Sequence, residues 1–441
     1  MKQVKKNSFK YFLYIVVFVM LVGAIFGIVS SFIPKKDNGT DNKTPTNKYT
    51  VVDFSTLKKQ LTPNVINDDS VYVTSYVADI IKHSNSYVDI TTFGAIPNDN
   101  IDDTTAIQNA INSLTNGGVV YIPSGTFLVN VDDCINLNSN IALLGNGNSS
   151  ILKLIDNQTN LNNILKAESK QNVVIYNLAI NGNRANQNND TTTQYGVFIS
   201  GSSNCFVEKV YVYNTNGVGI HLYNTKNSIV NQCYSIGNKY HGFEIEQSDY
   251  CQLLNSYGKA NDRHGVLISP GEVGSNGSHY NTVKSNYFFE NKECGVSFSL
   301  ANDDLGNGLS YANSIINNFV FENEYCGIQS FKVDKCYIKD NLVANNGGFG
   351  IYLYSSKENV VSNNYLMNNS QKTNGGFDEI RIESTSAKDS CNSTISNNTI
   401  VITGNVKARY GIHDTSVNGN FISDNNIAHK GTTDFTYIVK K

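Results

Sequence analysis

Five residues, His221, Tyr223, Glu244, Glu246 and Arg263, fall at fixed offsets from three glycines and make a set able to move protons. His221 and Tyr223 lie two and four residues after Gly219, and Glu244 and Glu246 stand at the same offsets from Gly242. Arg263 lies two residues before Gly265, with His264 between them. Imidazole, phenol and carboxyl groups are the common general acids and bases. A guanidinium is a permanent cation whose fork matches a carboxylate. A carbon beside a carboxylate becomes acidic once that carboxylate is neutralised, so the set suits proton abstraction. Each residue also has a plainer use. His221 serves as an exposed polar residue, Tyr223 as a stacking surface, and the glutamates as solvated charges. Arg263 pairs with Asp262 or Glu246, and His241 and His264 close bends. Only the joint placement speaks for chemistry.

That placement follows from a repeat. Glycines at 196, 219, 242 and 265 are 23 residues apart, Gly295 and Gly327 continue the series with longer inserts, Gly350 returns at 23, and Gly411 is a late copy. After each glycine the chain alternates: Val197/Ile199, Ile220/Leu222, Phe243/Ile245 and Val266/Ile268 are apolar, and the residues between them are mostly polar. Period-two alternation means strands. A period near 23 means one turn of a solenoid. The fixed Leu and Asn ladder of leucine-rich repeats is missing. The expected fold is therefore an all-β parallel β-helix with coils about 4.8 Å apart. The apolar columns face the core, so His221, Tyr223, Glu244 and Glu246 share one outward sheet face, with Arg263 at its rim. An exposed first coil needs a cover. Asp102 to Leu114 supplies a capping helix, with Ile107, Ala110, Ile111 and Leu114 as its apolar stripe.

Composition agrees. The 441 residues include 34 Gly, 6 Pro, no Trp and 16% charged residues. About 65 are Asn, a poor helix former that tolerates left-handed bends and can ladder between coils. A net charge of −3 argues against nucleic acid as a partner. The eight cysteines form no CxxC pair, so structural zinc is not expected. They read as small buried hydrophobes, with cross-linking as the alternative.

Residues 11–33 are uncharged and almost wholly apolar, and helical they would reach about 35 Å. Lys2, Lys5, Lys6 and Lys10 precede them, which places residues 1–10 in the cytoplasm and the rest outside. This reads as one transmembrane signal anchor at the cell membrane. A cleaved signal and a secreted domain is the alternative. Residues 34–50 read as a stalk, 51–86 as a lead-in, and 87–441 as the β-helix domain.

The opening of that domain resembles the pectate-lyase-like superfamily: Val88 to Ala95, Asp102 to Ile111 and Gly117 to Thr126 carry the likeness. Ile180-Asn181-Gly182-Asn183-Arg184 and Ala260-Asn261-Asp262-Arg263-His264-Gly265 resemble the catalytic module of mannuronan (alginate) C5-epimerases. The resemblance implies a right-handed β-helix acting on an acidic, uronate-containing polysaccharide. It implies abstraction of the C5 proton, with either epimerisation or β-elimination to follow. Arg263 and His264 stand where the family carries its arginine and histidine. The family's Tyr, Asp and His positions fall on Val218, His221 and Tyr223, and a further aspartate falls on Glu246. The family lysine has no clear match near Gln194, which with Glu244 is left as a substrate-binding candidate. The resemblance also makes Ca²⁺ possible, through Asp190, Glu272, Asp303 and Asp304. The competing readings are a glycoside hydrolase on the same fold and a non-catalytic glycan-binding surface protein.

Overall fold

The computed structural model describes residues 86–187, 194–271, 275–298, 310–384, 390–403, 408–416, 419–429 and 436–440. Among them the strands form three parallel sheets of 13, 12 and 12 strands, each strand pairing with its counterparts in the neighbouring coils. This is the expected β-helix. The third sheet holds Val197–Ser200, Ile220–Tyr223, Phe243–Glu246 and Val266–Ser269 as consecutive neighbours. Their register aligns Val197, Ile220, Phe243 and Val266 in one column and Ile199, Leu222, Ile245 and Ile268 in another. Both columns are buried in the continuous apolar core.

The glycine before each strand is required by space. A Cβ on Gly219 would lie 1.9 Å from the Ser235 hydroxyl and 2.7 Å from the Gly242 carbonyl oxygen. The 23-residue glycine signal therefore marks where one coil's corner presses on the next.

Asparagine does two jobs in the corners. Asn317, Asn345, Asn363, Asn368 and Asn397 take positive φ, from 51° to 57°. The residue after each, Asn318, Asn346, Asn364, Asn369 or Asn398, is buried and joins a ladder. One ladder runs Asn238, Asn261, Asn291, Asn323, Asn346, Asn369, with each Nδ2 donating to the next Oδ1 at 2.8–2.9 Å. Its last amide donates to Glu379 Oε2 at 2.6 Å. Four cysteines, Cys205, Cys233, Cys251 and Cys336, take the same kind of slot, and their N–H groups donate to Ser or Asn side chains of the following coil. All eight thiols are unpaired and seven are buried, as expected of small core residues.

The helix Thr104–Ser113 forms where expected and packs Ile107, Ala110 and Ile111 into the N-terminal end of the core. Asp102 Oδ1 accepts from the Thr104 backbone N–H and hydroxyl, which fixes the helix start. The anchor at 11–33, the stalk and the lead-in up to residue 85 lie outside the described residues. Among the described residues, no helix is long and apolar enough to cross a membrane.

Glu379 gives a measurable signature. Burial lifts its carboxyl pKa to about 7, against the lowering effect of the Asn369 hydrogen bonds. A carboxyl whose folded pKa is raised adds stability that is complete below its unfolded value, about 4.5. That stability is lost as pH climbs to about 7. Thermal unfolding should therefore occur at lower temperature at pH 7 than at pH 5, and Glu379→Gln should flatten the difference. Equal slopes in calorimetry for the two proteins would rule this out.

Candidate functional site

The register places the sequence-derived set on one outer face. His221 pairs with Glu244, and Tyr223 with Glu246, across adjacent coils. His221 Nε2 lies 2.9 Å from Glu246 Oε2 and 3.8 Å from Glu244 Oε2. The face is not as open as alternation alone implies, because His221 is only 4% exposed. Tyr195, Phe198 and Tyr223 surround it, with ring centroids 5.2, 5.3 and 6.0 Å away. The expectation of an exposed imidazole is corrected here: alternation sets direction, while neighbouring ring size sets exposure.

Tyr195 is the residue that sequence reasoning passed over. It precedes Gly196 as Val218 precedes Gly219, so it occupies the corner position one coil before the valine. The sequence signal is the Tyr195-Gly196 pair, where an aromatic stands immediately before a marker glycine. Its phenol is held protonated well above its ordinary range, by burial first and then by the Glu244 and Glu246 charges. Burial also raises the Glu244 carboxyl pKa. For His221, burial alone would lower the pKa, but Glu244 and the hydrogen-bonded Glu246 outweigh it and raise it.

Arg263 is exposed at the rim, its guanidinium carbon 4.8 Å from the Tyr240 ring centroid. Asp262, its expected structural partner, is taken by Arg184 and by Lys292 at 2.7 Å. Among the described residues no carboxylate forms an ion pair with Arg263. The guanidinium is thus available to a ligand.

Two candidates do not join the group. Gln194 is 1% exposed, and its Nε2 donates to the Gln158 and Asn160 carbonyl oxygens at 3.1 and 3.2 Å, binding one coil to another. His264 stacks on His241 at 5.1 Å in the corner ladder. Its Nδ1 accepts from the Cys294 N–H at 3.1 Å, and its Nε2 lies 3.1 Å from Glu293 Oε2. Both ring nitrogens are engaged, which fits the bend-closing use of this residue. The four acids considered for Ca²⁺, Asp190, Glu272, Asp303 and Asp304, lie outside the described residues. Within them, His221, Glu244 and Glu246 bring three donor atoms within 4.8 Å of one another.

The same sheet face carries a second cluster that the sequence did not give up. Tyr352, Arg381 and His413 align across three successive coils. Asp378 accepts two bonds from Arg409, at 3.0 and 2.8 Å, and lies 3.0 Å from His413 Nδ1. Tyr352 donates to Glu383 at 3.1 Å. Tyr352 and His413 stand two residues after Gly350 and Gly411, as His221 does after Gly219, whereas Ile380 lacks a preceding glycine, so the offset rule misses Arg381. Five strand steps separate Glu244 from Arg381, about 24 Å. A depression of about 460 Å³, lined by Lys153, Asn183, Arg184 and Asn214 among others, lies apart from both clusters. Charge and donor geometry, not concavity, single out the His221 face.

Comparison with known proteins agrees with this architecture. Residues 87–168 match the family model for rhamnogalacturonase A/epimerase, pectate lyase-like. Residues 163–310 match the right-handed β-helix region, and 278–386 and 302–438 match the periplasmic copper-binding protein (NosD) family. No curated protein matches the chain. Among solved structures, the A-module of Azotobacter vinelandii mannuronan C-5 epimerase AlgE4 superposes with a TM-score of 0.67 at 22% identity, covering 81% of this chain and 100% of that one. A Thermotoga maritima exopolygalacturonase gives 0.60 at 16%, covering 80% and 95%. The Streptococcus pneumoniae surface adhesin PfbA gives 0.56 at 15%, covering 80% and 99%.

Proposed function

We propose, from the chain's membership of the pectate-lyase-like β-helix superfamily, that it modifies an acidic, uronate-containing polysaccharide by abstracting the C5 proton. One observation carries this reading: the hydrogen-bonded His221–Glu246 pair shares an outer face with an exposed arginine that lacks a carboxylate partner among the described residues. Arg263 neutralises the sugar carboxylate, which acidifies C5. His221 and Tyr223 exchange the proton, and Tyr195 adds a second phenol beside the imidazole. Return of a proton to the opposite face gives epimerisation, and loss of the O4 substituent gives β-elimination. Mannuronan epimerase modules on this fold support the polymer class.

The burial of His221 favours a second reading, a non-catalytic glycan-binding protein, and adhesins share the fold. One experiment separates them. Residues 51–441 are incubated with polymannuronate, alginate and pectate, with absorbance near 232 nm reporting elimination products and NMR reporting C5 inversion. Either signal is expected. Binding without turnover across the panel would establish the second reading.

A further inference from the structure

We infer that His221, Glu244 and Glu246 form a binding site for one divalent transition-metal ion, of the zinc or cobalt class. The inference does not depend on the uronate reading; an ion on His221 Nε2 would take that imidazole out of proton exchange and leave the step to Tyr223. Its basis is the donor set. One imidazole nitrogen from one coil faces two carboxylates from the next, and one donor atom of each lies within 4.8 Å of the others. In a tetrahedral site with bonds near 2.1 Å, donor atoms lie about 3.4 Å apart. The two measured separations from His221 Nε2, 2.9 and 3.8 Å, fall on either side of that value. Small side-chain adjustments would therefore close the cage.

Charge and burial point the same way. Two mostly buried carboxylates face one imidazole, with Arg263 at the rim as a further cation. Buried carboxylates need compensation that a divalent ion supplies. His221 is enclosed, and its Nδ1 has none of the hydrogen-bond acceptors that orient most metal-bound imidazoles, so packing alone must aim the ring. Such a ring is held by packing against Tyr195 and Phe198, with Nε2 directed at the two carboxylates. The donor set also selects the ion. Imidazole suits zinc and its neighbours, whereas calcium and magnesium take oxygen ligands alone. Three protein ligands leave a fourth position for water or substrate oxygen. The geometry came from the repeat: two acids at alternate positions of one strand, beside a histidine at the first of those positions one coil earlier.

The test uses untagged protein, stripped with chelator and titrated with Co²⁺ under an inert atmosphere. Visible absorption reports the coordination, and equilibrium dialysis with Zn²⁺ reports stoichiometry. One ion per chain is expected, with a tetrahedral Co²⁺ band between about 500 and 650 nm. The near-isosteric Glu246→Gln and the variant His221→Ala should each weaken binding by more than about tenfold, since loss of a direct ligand exceeds the usual effect of its supporting groups. Circular dichroism of each variant checks the fold. Absence of binding, binding unchanged in both variants, or preference for Ca²⁺ would each overturn the proposal. Binding is read without substrate, so an inactive protein that still binds Co²⁺ would sink the uronate reading and leave this one standing.

Discussion

Arg263→Ala is expected to lower turnover of a uronate polymer by at least about a hundredfold while leaving the fold intact. Removal of one preorganised group that meets developing charge typically costs about 10² to 10³ in kcat. Arg263 sits at the rim, stacks on Tyr240 and has no ion-pair partner among the described residues, so no buried charge is orphaned by its loss. Stability should therefore change little. The loss should appear mainly in kcat, because the carboxylate draws most on the guanidinium as C5 gives up its proton. Arg263→Lys keeps the charge but not the fork and should recover only part of the rate. Normal turnover in the alanine variant would remove Arg263 from the site.

The largest effect on stability is expected inside the asparagine ladder. Asn323 is 1% exposed and stands mid-ladder. Its Oδ1 accepts from both the backbone and side-chain nitrogens of Asn291, at 3.2 and 2.8 Å. Its Nδ2 donates to the Phe288 carbonyl oxygen at 3.0 Å and to Asn346 Oδ1 at 2.9 Å. Asn323→Ala removes these bonds and leaves two Asn291 donors and the Phe288 acceptor buried without that partner. At about 1–3 kcal/mol for each unsatisfied group, and with incomplete additivity, the cost is roughly 4 kcal/mol. A solenoid couples mainly to its neighbours, so the loss should be local. Amides near residues 291–346 should exchange faster, and urea unfolding should begin earlier. A change below about 1 kcal/mol, with exchange unaltered, would contradict the ladder's role. By contrast, Asn317→Ala alters a left-handed corner and one exposed bond to Ser285 Oγ, both outside the ladder, and should cost far less.

These two residues also show how much could be read from the chain. The coil period, the inward columns and the shared face of His221, Tyr223, Glu244 and Glu246 followed from glycine spacing and alternation, because parallel stacking turns a sequence repeat into spatial register. Burial did not follow. His221 and Gln194 are enclosed by residues from other coils, Tyr195 and Phe198 in one case and the Gln158 and Asn160 backbone in the other. Pairing was equally hidden. Asp262, one residue from Arg263, binds Arg184 instead, 78 positions earlier. In the Asp378–Arg409–His413 cluster, only the coil of Asp378 lacks the marker glycine; Arg409 and His413 stand two residues before and after Gly411, the offsets of Arg263 and His221 from their glycines, so the rule reaches them and misses only their acid. The division of labour within Asn-Asn pairs was partly legible: a tolerance for left-handed bends was readable, but which member of each pair turns inward depends on the corner geometry.

The ladder also sets a chemical lifetime on the protein. Asn346 is followed by Gly347, a pairing open to spontaneous deamidation, and asparagine is among the thermolabile residues that heat-adapted proteins shed. Conversion of that rung to aspartate would replace a donor with an anion facing Asn369 Oδ1 in a buried row. The same hydrogen bonds that hold the rung rigid keep its amide from the backbone geometry the reaction needs. Ageing and folding are therefore linked: a coil that opens at this corner exposes a clock, and one that stays closed stops it.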